Sequence, residues 1–317
     1  MIFRSLADIS ATFGPCVTTI GNFDGVHRGH QQIIRRIHAI ARENGWKPAV
    51  LTFEPHPTKL VAPVRAPRLL TTSEERARRM EELGIEQVVI LPFTQEIAQL
   101  APEDFVRRIL VHTLHVKAVL VGENFRFGRR TEGDAHMLEQ LGRKYGFRTE
   151  IITSVVCRGR VISSTEIRRC IESGEVSLAC RMLGQPYALQ GKVVHGEGRG
   201  SKQTVPTLNL DTDAEVLPKT GVYITRTRDR KSGREWPSIT NVGYRPTFNG
   251  HGLTVETYLL SELGGTTPEE VSVQFLRRVR EEKKFENAEA LKAQILRDVG
   301  RAQAYFRRIG PMIAPAR

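Results

Sequence analysis

The sequence lacks any segment long and apolar enough to cross a membrane. Its longest apolar runs, such as residues 88–93 and 118–121, fall far short of the roughly 20 apolar residues that span a bilayer. Residues 1–14 contain one Arg and no sustained apolar stretch, unlike a secretory signal. We therefore expect a protein that acts in the cytoplasm and does not span a membrane.

Cysteine is scarce, and its spacing excludes two further classes. The four cysteines, Cys16, Cys157, Cys170 and Cys180, lie far apart and form no C-x-x-C pair. A zinc site or a disulfide framework needs closer and more regular spacing. We expect four reduced thiols, most of them buried.

The charge balance is strongly basic, but the basic residues are dispersed. Lys and Arg number 47 against 35 Asp and Glu, for a net charge of +12. Such a balance favours anionic partners. A continuous basic stripe interleaved with aromatic residues is missing, and residues 277–284 mix Arg and Lys with Glu. We expect phosphorylated small molecules as partners, with an RNA-binding protein as the alternative from a different class.

The length of 317 residues indicates about two domains, at roughly 150 residues per domain. The first half alternates short β-branched runs with segments of helical periodicity, which predicts an α/β Rossmann-like domain with a parallel sheet. Ligands of such sheets bind at the carboxyl ends of the strands. The predicted strands are 16–20, 49–53, 87–91, 117–121 and 149–155, and the predicted helices are 29–43, 73–83, 102–114 and 132–145.

A change of pattern marks the start of the second domain. Two short helices, 165–172 and 176–183, lead to Gly184-Gln185-Pro186, a helix stop followed by a turn. We place the boundary there, which gives domains 1–185 and 186–317. Five strands without an intervening long helix then predict a small antiparallel β-barrel. The strands are 189–194, 222–228, 238–242, 254–260 and 271–275, followed by a helix 287–306 whose apolar stripe is Ala288, Leu291, Ile295, Val299, Ala302 and Phe306.

The first candidate site lies where the first strand gives way to the first helix. Residues 19–30 read T-I-G-N-F-D-G-V-H-R-G-H, and the N–H groups of the following helix start favour a bound anion. The segment has no G-K-[ST], so it is not a P-loop. His27 and His30 can donate hydrogen bonds to phosphate oxygens as charge develops in a transfer step. The alternative is that both histidines only occupy a helix start.

A second segment supports the phosphate interpretation. Residues 162–168, I-S-S-T-E-I-R, open another helix with three hydroxyls and place Arg168 one turn later. This set suits a triphosphate at a helix N-terminus. Ser163 and Glu166 also form a plain capping box. The two interpretations are compatible, because a capped helix can still present Ser164, Thr165 and Arg168.

Together with F-E-P-H-P at 53–57 and G-E-N-F-R-F-G at 122–128, these motifs resemble the nucleotidyltransferase superfamily, and specifically the FMN adenylyltransferase domain of bacterial bifunctional riboflavin kinase/FAD synthetases. The resemblance implies that the FMN phosphate attacks the α-phosphorus of ATP, that pyrophosphate leaves, and that His27 and His30 are catalytic. It implies ATP binding by Gly21, Asn22, Phe23, Asp24, Gly29, Ser164, Thr165 and Arg168. It implies flavin binding by His56, Asn124, Phe125 and Arg126, although Phe125 and Phe127 also suit core packing.

The second candidate site is a glycine-rich turn near the start of the barrel. Residues 191–200 and 205–210 read G-K-V-V-H-G-E-G-R-G and V-P-T-L-N-L. Gly196, Gly198 and Gly200 permit close approach of backbone to phosphate, and Thr207 and Asn209 offer oxygen ligands that suit Mg²⁺. A glycine-rich hairpin without a ligand is the alternative.

The barrel half resembles the riboflavin kinase domain of the same bifunctional family, through residues 221–223, 241–247 and 255–258 as well. The resemblance implies that Glu256 takes the proton from the 5′-hydroxyl of riboflavin, with Mg-ATP at Thr207 and Asn209. The chain departs from the family pattern at Thr204, at Val205 and after Leu260, so a degenerate kinase domain is a second alternative. We expect a bifunctional enzyme that uses riboflavin, FMN, ATP and Mg²⁺. The sequence leaves the oligomeric state open.

Overall fold

The computed structural model describes residues 1–10, 12–194, 207–247 and 250–310. The chain divides into two compact units, Met1–Glu166 and Ile167–Arg317. Among the described helices, none combines the length and the apolar character needed to cross a bilayer.

The first unit contains a parallel sheet of six strands in the order β1-β4-β3-β2-β5-β8. This arrangement confirms the predicted α/β class. The central strands are buried along almost their whole length because both faces of the sheet are covered. The strands of this unit are β1 (Ile2–Phe3), β2 (Cys16–Ile20), β3 (Lys47–Glu54), β4 (Gln87–Pro92), β5 (Val116–Gly122), β6 (Arg126–Phe127), β7 (Gly133–Asp134), β8 (Arg148–Ile152), β9 (Val156–Cys157) and β10 (Arg160–Val161).

The described helices match most of the predicted ones to within a few residues. The exception is the predicted helix 102–114, which is a short α-helix followed by a π-helix, Val106–Thr113. Over two turns the hydrophobic period does not distinguish the two helix types. The α-helices are α1 (Arg28–Asn44), α2 (Pro57–Val61), α3 (Ser73–Glu82), α4 (Gln95–Gln99), α5 (Pro102–Phe105), α6 (Ala135–Tyr145), α7 (Ser164–Glu172), α8 (Val176–Leu183) and α9 (Ala288–Ile309).

The second unit contains a closed antiparallel barrel in the order β11-β12-β15-β14-β13-β16. The predicted barrel is therefore confirmed. One strand, Thr207–Asp211, was not predicted. The barrel strands are β11 (Tyr187–Val194), β12 (Thr207–Asp211), β13 (Gly221–Asp229), β14 (Glu235–Thr247), β15 (Gly250–Leu259) and β16 (Glu270–Arg280).

Strand β16 extends beyond the predicted 271–275, and two shifts in its pairing register explain why the prediction stopped early. Against β13, the pairing passes from Phe275 to Arg277 and from Arg278 to Arg280. Each shift inserts one extra residue, which breaks the two-residue period that sequence patterns depend on. The alternation was therefore visible only up to the first irregularity.

The barrel interior holds a chain of buried hydroxyls. Thr227, Ser238, Thr225, Thr240 and Thr257 follow one another at oxygen–oxygen distances of 2.7–2.9 Å. Each is fully or almost fully buried, and each hydroxyl partners the next. Because side chains alternate across a strand, the neighbours of Thr240 and Thr257 along the chain lie on the outer face of the barrel.

Helix α9 covers part of this outer face. Ala302 is fully buried against Val222, Ile224 and Ile239, in agreement with the predicted apolar stripe. Leu291 departs from that prediction, because its side chain is 42% exposed. It lies in the first turn of the helix and lines a cavity rather than the packed core.

Helix α8 packs within the second unit, although we predicted it for the first domain. Its apolar side chains, at Val176, Ala179, Met182 and Leu183, are buried. The Ser177 hydroxyl donates to the carbonyl of Leu276 on β16 at 2.8 Å. The unit boundary thus falls inside α7, ahead of the boundary at 185/186. Where the independently folding domains separate remains a prediction.

We expect a fragment 164–317 to be more stable than a fragment 186–317. The shorter fragment loses the buried side chains of α8, and each fully buried apolar side chain contributes about 1.5–3 kcal/mol. Urea unfolding of both fragments, followed by circular dichroism, measures the difference. Equal midpoints would show that α8 contributes nothing to the barrel and would support the boundary at 185/186.

Candidate active sites

The loop after β2 has an unusual backbone. Phe23 and Val26 adopt positive φ angles of 51° and 43°, and Gly25 lies between them at 80°. A positive φ is costly for a β-branched residue such as valine. Strain of this kind persists only where the surroundings hold it, and it concentrates at functional sites.

Several hydrogen bonds hold this loop. The buried carboxylate of Asp24 accepts from the backbone N–H groups of Leu70 and Thr71 at 2.9 and 3.1 Å. The Thr71 hydroxyl accepts from the N–H of Gly25, and the Ser164 hydroxyl donates to the carbonyl of Asp24 at 2.9 Å. This placement favours a structural role for the Asp24 carboxylate. Direct ATP contact by Asp24 and Ser164 remains a prediction.

The two histidines lie together at the start of α1. His27 is the N-cap, and its Nδ1 accepts from the N–H of His30 at 3.3 Å, so the neutral ring carries its proton on Nε2. The two rings stack at 3.6 Å, and the Phe23 ring lies 4.8 Å from that of His30. A Cβ at Gly29 would come within 3.1 Å of the His27 ring, which explains the glycine there.

Both histidines are neutral at pH 7. Burial lowers the pKa of His27 from 6.5 to about 4. Burial is the main cause that holds the pKa of His30 well below its usual value, and the positive charges of Arg76 and of a protonated His27 lower it further. The Nδ1 atom of His30 is buried and has no hydrogen-bond partner within the described part of the chain. The pair can therefore donate N–H groups to an anion without carrying charge.

The lowered pKa of His27 predicts a pH-dependent stability. Between pH 6.5 and about 4 the unfolded chain binds a proton that the folded chain does not, so the free energy of unfolding falls as the pH falls. His27→Asn, which keeps an N-cap side chain, should reduce this fall by on the order of 3 kcal/mol. Urea unfolding across this pH range measures it, with His136→Asn at an exposed position as control. An identical pH dependence in wild type and His27→Asn would contradict the prediction.

A cavity of about 750 Å³ adjoins this loop, a size typical of small-molecule sites. Asn124, Phe125 and Arg126, three predicted flavin residues, line it together with Gly21 and Asn22. Phe125 also stacks on Phe127 at 5.4 Å, so its packing and lining roles coexist. The remaining apolar lining includes Leu60, Phe53, Phe93 and Phe105.

His56, the fourth predicted flavin residue, is buried beside this cavity rather than in its lining. Its Nε2 lies 2.9 Å from the side-chain amide of Asn22. Sequence reasoning missed Arg129, Arg130 and Thr131, which also line the cavity. Arg130 and Thr131 have positive φ angles of 52° and 59°, and no local sequence pattern signals that conformation.

Helix α7 begins as the sequence predicted. The Ser163 hydroxyl accepts from the N–H of Glu166 at 3.2 Å, which confirms the cap. Thr165 is exposed in the first turn, and Arg168 lies one turn later. Binding of ATP by Thr165 and Arg168 remains a prediction.

The barrel carries a second polar cluster on its outer face. Glu256 on β15 lies opposite Asn209 of β12 on one side and Asn241 of β14 on the other. Val255 and Thr257 are buried while Glu256 and Tyr258 are partly exposed, as the two-residue period of a strand requires. Three neighbouring strands thus place one carboxylate between two amides.

A cavity of about 390 Å³ lies over this cluster. Thr207, Asn241, Glu256 and Arg280 line it from the barrel strands, and Asp298 lines it from α9. The buried Asp298 accepts from Arg280 at 2.7 Å. Asn241 was not predicted as a site residue, because only strand pairing brings it beside Glu256.

The departures from the family pattern fall in two places. Thr204 and Val205 lie outside the described residues, as do the predicted phosphate-binding glycines Gly196, Gly198 and Gly200. Residues 261–267 lie in the connection between β15 and β16, and none of them lines the described cavity.

A loop with two stacked histidines follows strand β2 of the parallel sheet, and the barrel carries the Glu256 carboxylate in the wall of a cavity; these features fit a two-domain, nucleotide-dependent transferase. Comparison with known families agrees with this class. The FAD synthetase family model matches residues 9–166, and the riboflavin kinase model matches residues 183–306. The chain belongs to the family of bifunctional riboflavin kinase/FMN adenylyltransferases. ATP, riboflavin and FMN are the substrates that fit this family.

Curated relatives extend over nearly the whole chain. The bifunctional riboflavin kinase/FMN adenylyltransferase of Pseudomonas fluorescens is 37% identical over 96% of this chain and 97% of its own. The protein of the same name from Escherichia coli K12 is 36% identical over 92% and 93%. A solved structure titled a macrolide-efflux protein, from Streptococcus pneumoniae, is 27% identical with a TM-score of 0.85 over 96% of this chain and 98% of that chain.

Proposed function

We propose that this chain makes FAD from riboflavin in two ATP-dependent steps, each in its own unit. The barrel phosphorylates riboflavin to FMN, and the α/β unit adenylylates FMN and releases pyrophosphate. The assignment of adenylyl transfer to the α/β unit rests on the stacked, neutral pair His27–His30 beside a cavity of about 750 Å³. The pair supplies hydrogen-bond donors for phosphate oxygens next to a space that suits a flavin.

In adenylyl transfer, an oxygen of the FMN phosphate attacks the α-phosphorus of ATP. This phosphate has a second pKa near 6 and is already anionic at pH 7, so the step needs no general base. The commitment of the Asp24 carboxylate to backbone N–H groups agrees with this chemistry. His27 Nε2–H, His30 and the N–H groups at the start of α1 stabilise the charge that develops on the phosphates. Thr165, in the first turn of α7, holds the leaving pyrophosphate.

In riboflavin phosphorylation, the nucleophile is a neutral hydroxyl, and a base is required. Glu256 takes its proton, and the flanking amides of Asn209 and Asn241 orient the carboxylate and the hydroxyl. The exposed Thr207 hydroxyl and the Asn209 amide oxygen are the hard oxygen donors that suit Mg²⁺. Thr207 and Asn209 would hold a bound Mg²⁺, which would offset the negative charge of the ATP phosphates.

The test follows riboflavin, FMN and FAD by chromatography after mixing purified protein with riboflavin and Mg-ATP. We expect riboflavin to fall, FMN to appear and FAD to accumulate with equimolar pyrophosphate. FAD formation from FMN but not from riboflavin would support the degenerate kinase alternative. Addition of EDTA should stop riboflavin phosphorylation, and activity that persists would contradict the Mg²⁺ assignment.

The same protein also tests the remaining alternative. Flavin fluorescence titration should show saturable binding. Absence of flavin binding, combined with RNA binding that weakens steeply as salt rises, would favour a basic RNA-binding protein instead. We further propose a cytoplasmic location, where riboflavin and ATP are both available.

A further inference from the structure

Arg76 is a fully buried charged side chain outside the site motifs. It lies on α3, and its side chain is 0% exposed. A buried guanidinium is costly unless hydrogen bonds and opposite charge compensate it. Two of its nitrogens are partnered, because Nη1 donates to the carbonyl of Asn22 at 2.9 Å and Nη2 to the Glu54 carboxylate at 2.8 Å.

The two partners belong to different halves of the adenylyl-transfer site. Asn22 lies in the strained loop that carries His27 and leads to the phosphate side. Glu54 is the last residue of β3, two residues before His56 on the flavin side. One guanidinium therefore connects the segments that approach the two substrates.

A second link runs between the same segments. His56 Nδ1 accepts from the N–H of Thr58 at 3.3 Å, so the neutral ring carries its proton on Nε2. His56 Nε2 lies 2.9 Å from Asn22 Nδ2, and with the proton on Nε2 the Asn22 amide is turned so that its oxygen accepts. The backbone position of Asn22, which Arg76 holds, decides whether this arrangement forms.

Arginine suits this position better than lysine. Its planar group donates in two directions at fixed angles, whereas an ammonium group is a single point donor. Phe23, directly after Asn22, is in the left-handed region at φ 51°. Without the bond to the Asn22 carbonyl, that strained turn loses one of the contacts that hold it.

We propose that Arg76 is a positioning residue for adenylyl transfer. It keeps the phosphate loop and the flavin-side segment at a fixed separation, so that the FMN phosphate meets the α-phosphorus of ATP. The inference rests on the proposed adenylyl transfer, but it assigns no contact between Arg76 and either substrate.

The test compares Arg76→Lys, Glu54→Gln and the double variant in the full-length protein. For Arg76→Lys we expect the kcat of FAD formation to fall about 10- to 100-fold, because small displacements of reacting groups have effects of this size. Riboflavin phosphorylation by the same molecules should be unchanged. Glu54→Gln should raise the KM for FMN and not for ATP. The kcat of the double variant should be no lower than that of Arg76→Lys, because Glu54 acts on the transfer step through the guanidinium that Arg76→Lys already removes.

The matched control is Arg78→Lys on the same helix, whose side chain pairs only with Glu75 and Glu82 among the described residues. It should leave all these constants unchanged. A wild-type kcat and KM in Arg76→Lys, or a loss of both activities, would overturn the proposal. If Arg76→Lys does not fold, an unchanged KM for FMN in Glu54→Gln would overturn it. Failure of the wild type to make FAD would instead refute the proposed function.

Discussion

Glu256→Gln is expected to slow riboflavin phosphorylation by about 10²- to 10⁴-fold. A hydroxyl that attacks a phosphoryl group gains that much from a positioned base, and glutamine keeps the shape of the side chain while removing its basicity. Glu256 lies between Asn209 and Asn241 in the wall of the 390 Å³ cavity, so its carboxylate faces the space in which we propose that riboflavin binds.

The other interpretation of Glu256 is a surface charge on a half-exposed strand. It predicts a change in the free energy of unfolding below about 0.5 kcal/mol and no effect on rate. The variant is assayed with riboflavin and with FMN as separate substrates. Glu235→Gln, an exposed glutamate on β14, serves as the matched control. A normal rate with riboflavin would refute the base assignment, and a fall with both substrates would indicate misfolding.

His30→Ala is expected to reduce FAD formation from FMN by about 10²- to 10³-fold, the usual effect of removing one donor aimed at developing charge. His30 lies only in the α/β unit, so riboflavin phosphorylation should continue. The rate is expected to fall because the variant loses the N–H donor of His30 and also the stacking of its ring on that of His27, whose centroid lies 3.6 Å away.

Two further variants separate these contributions. His30→Gln retains an N–H donor without the aromatic stack, so its rate should lie between those of wild type and His30→Ala. His38→Ala changes a histidine on the same helix that packs near Gly84 and away from the loop, and it should leave the FAD rate unchanged. A folded His30→Ala protein that makes FAD at the wild-type rate would show that the phosphate role of the motif is wrong.

The sequence was sufficient for elements whose pattern is local. Strand Cys16–Ile20 and helix Val176–Leu183 occur at the predicted residues, because β-branched runs and helical periodicity are properties of neighbouring residues. The alternation around Glu256 likewise needs only the two-residue period of a strand. His27, His30 and Ser163 could be singled out from the sequence because each belongs to a short motif of neighbouring residues.

Strand pairing and packing decided the rest. Asn241 lies 15 residues before Glu256 along the chain, and only the register of β14 on β15 places them side by side. Helix α8 joined the barrel because its apolar face packs there, although the Gly-Pro turn after it looked like a boundary.

Asp24 and Arg76 show most clearly the difference between what the sequence and what the tertiary structure determine. By itself the sequence determined that Asp24 follows the first strand of the parallel sheet and that Arg76 lies on a helix. Only the tertiary structure decided that Asp24 caps the backbone N–H groups of Leu70 and Thr71, and that Arg76 is buried between Asn22 and Glu54. The reason is physical: a buried charge is specified by partners from distant segments, and no period in the sequence records which partners the fold will supply.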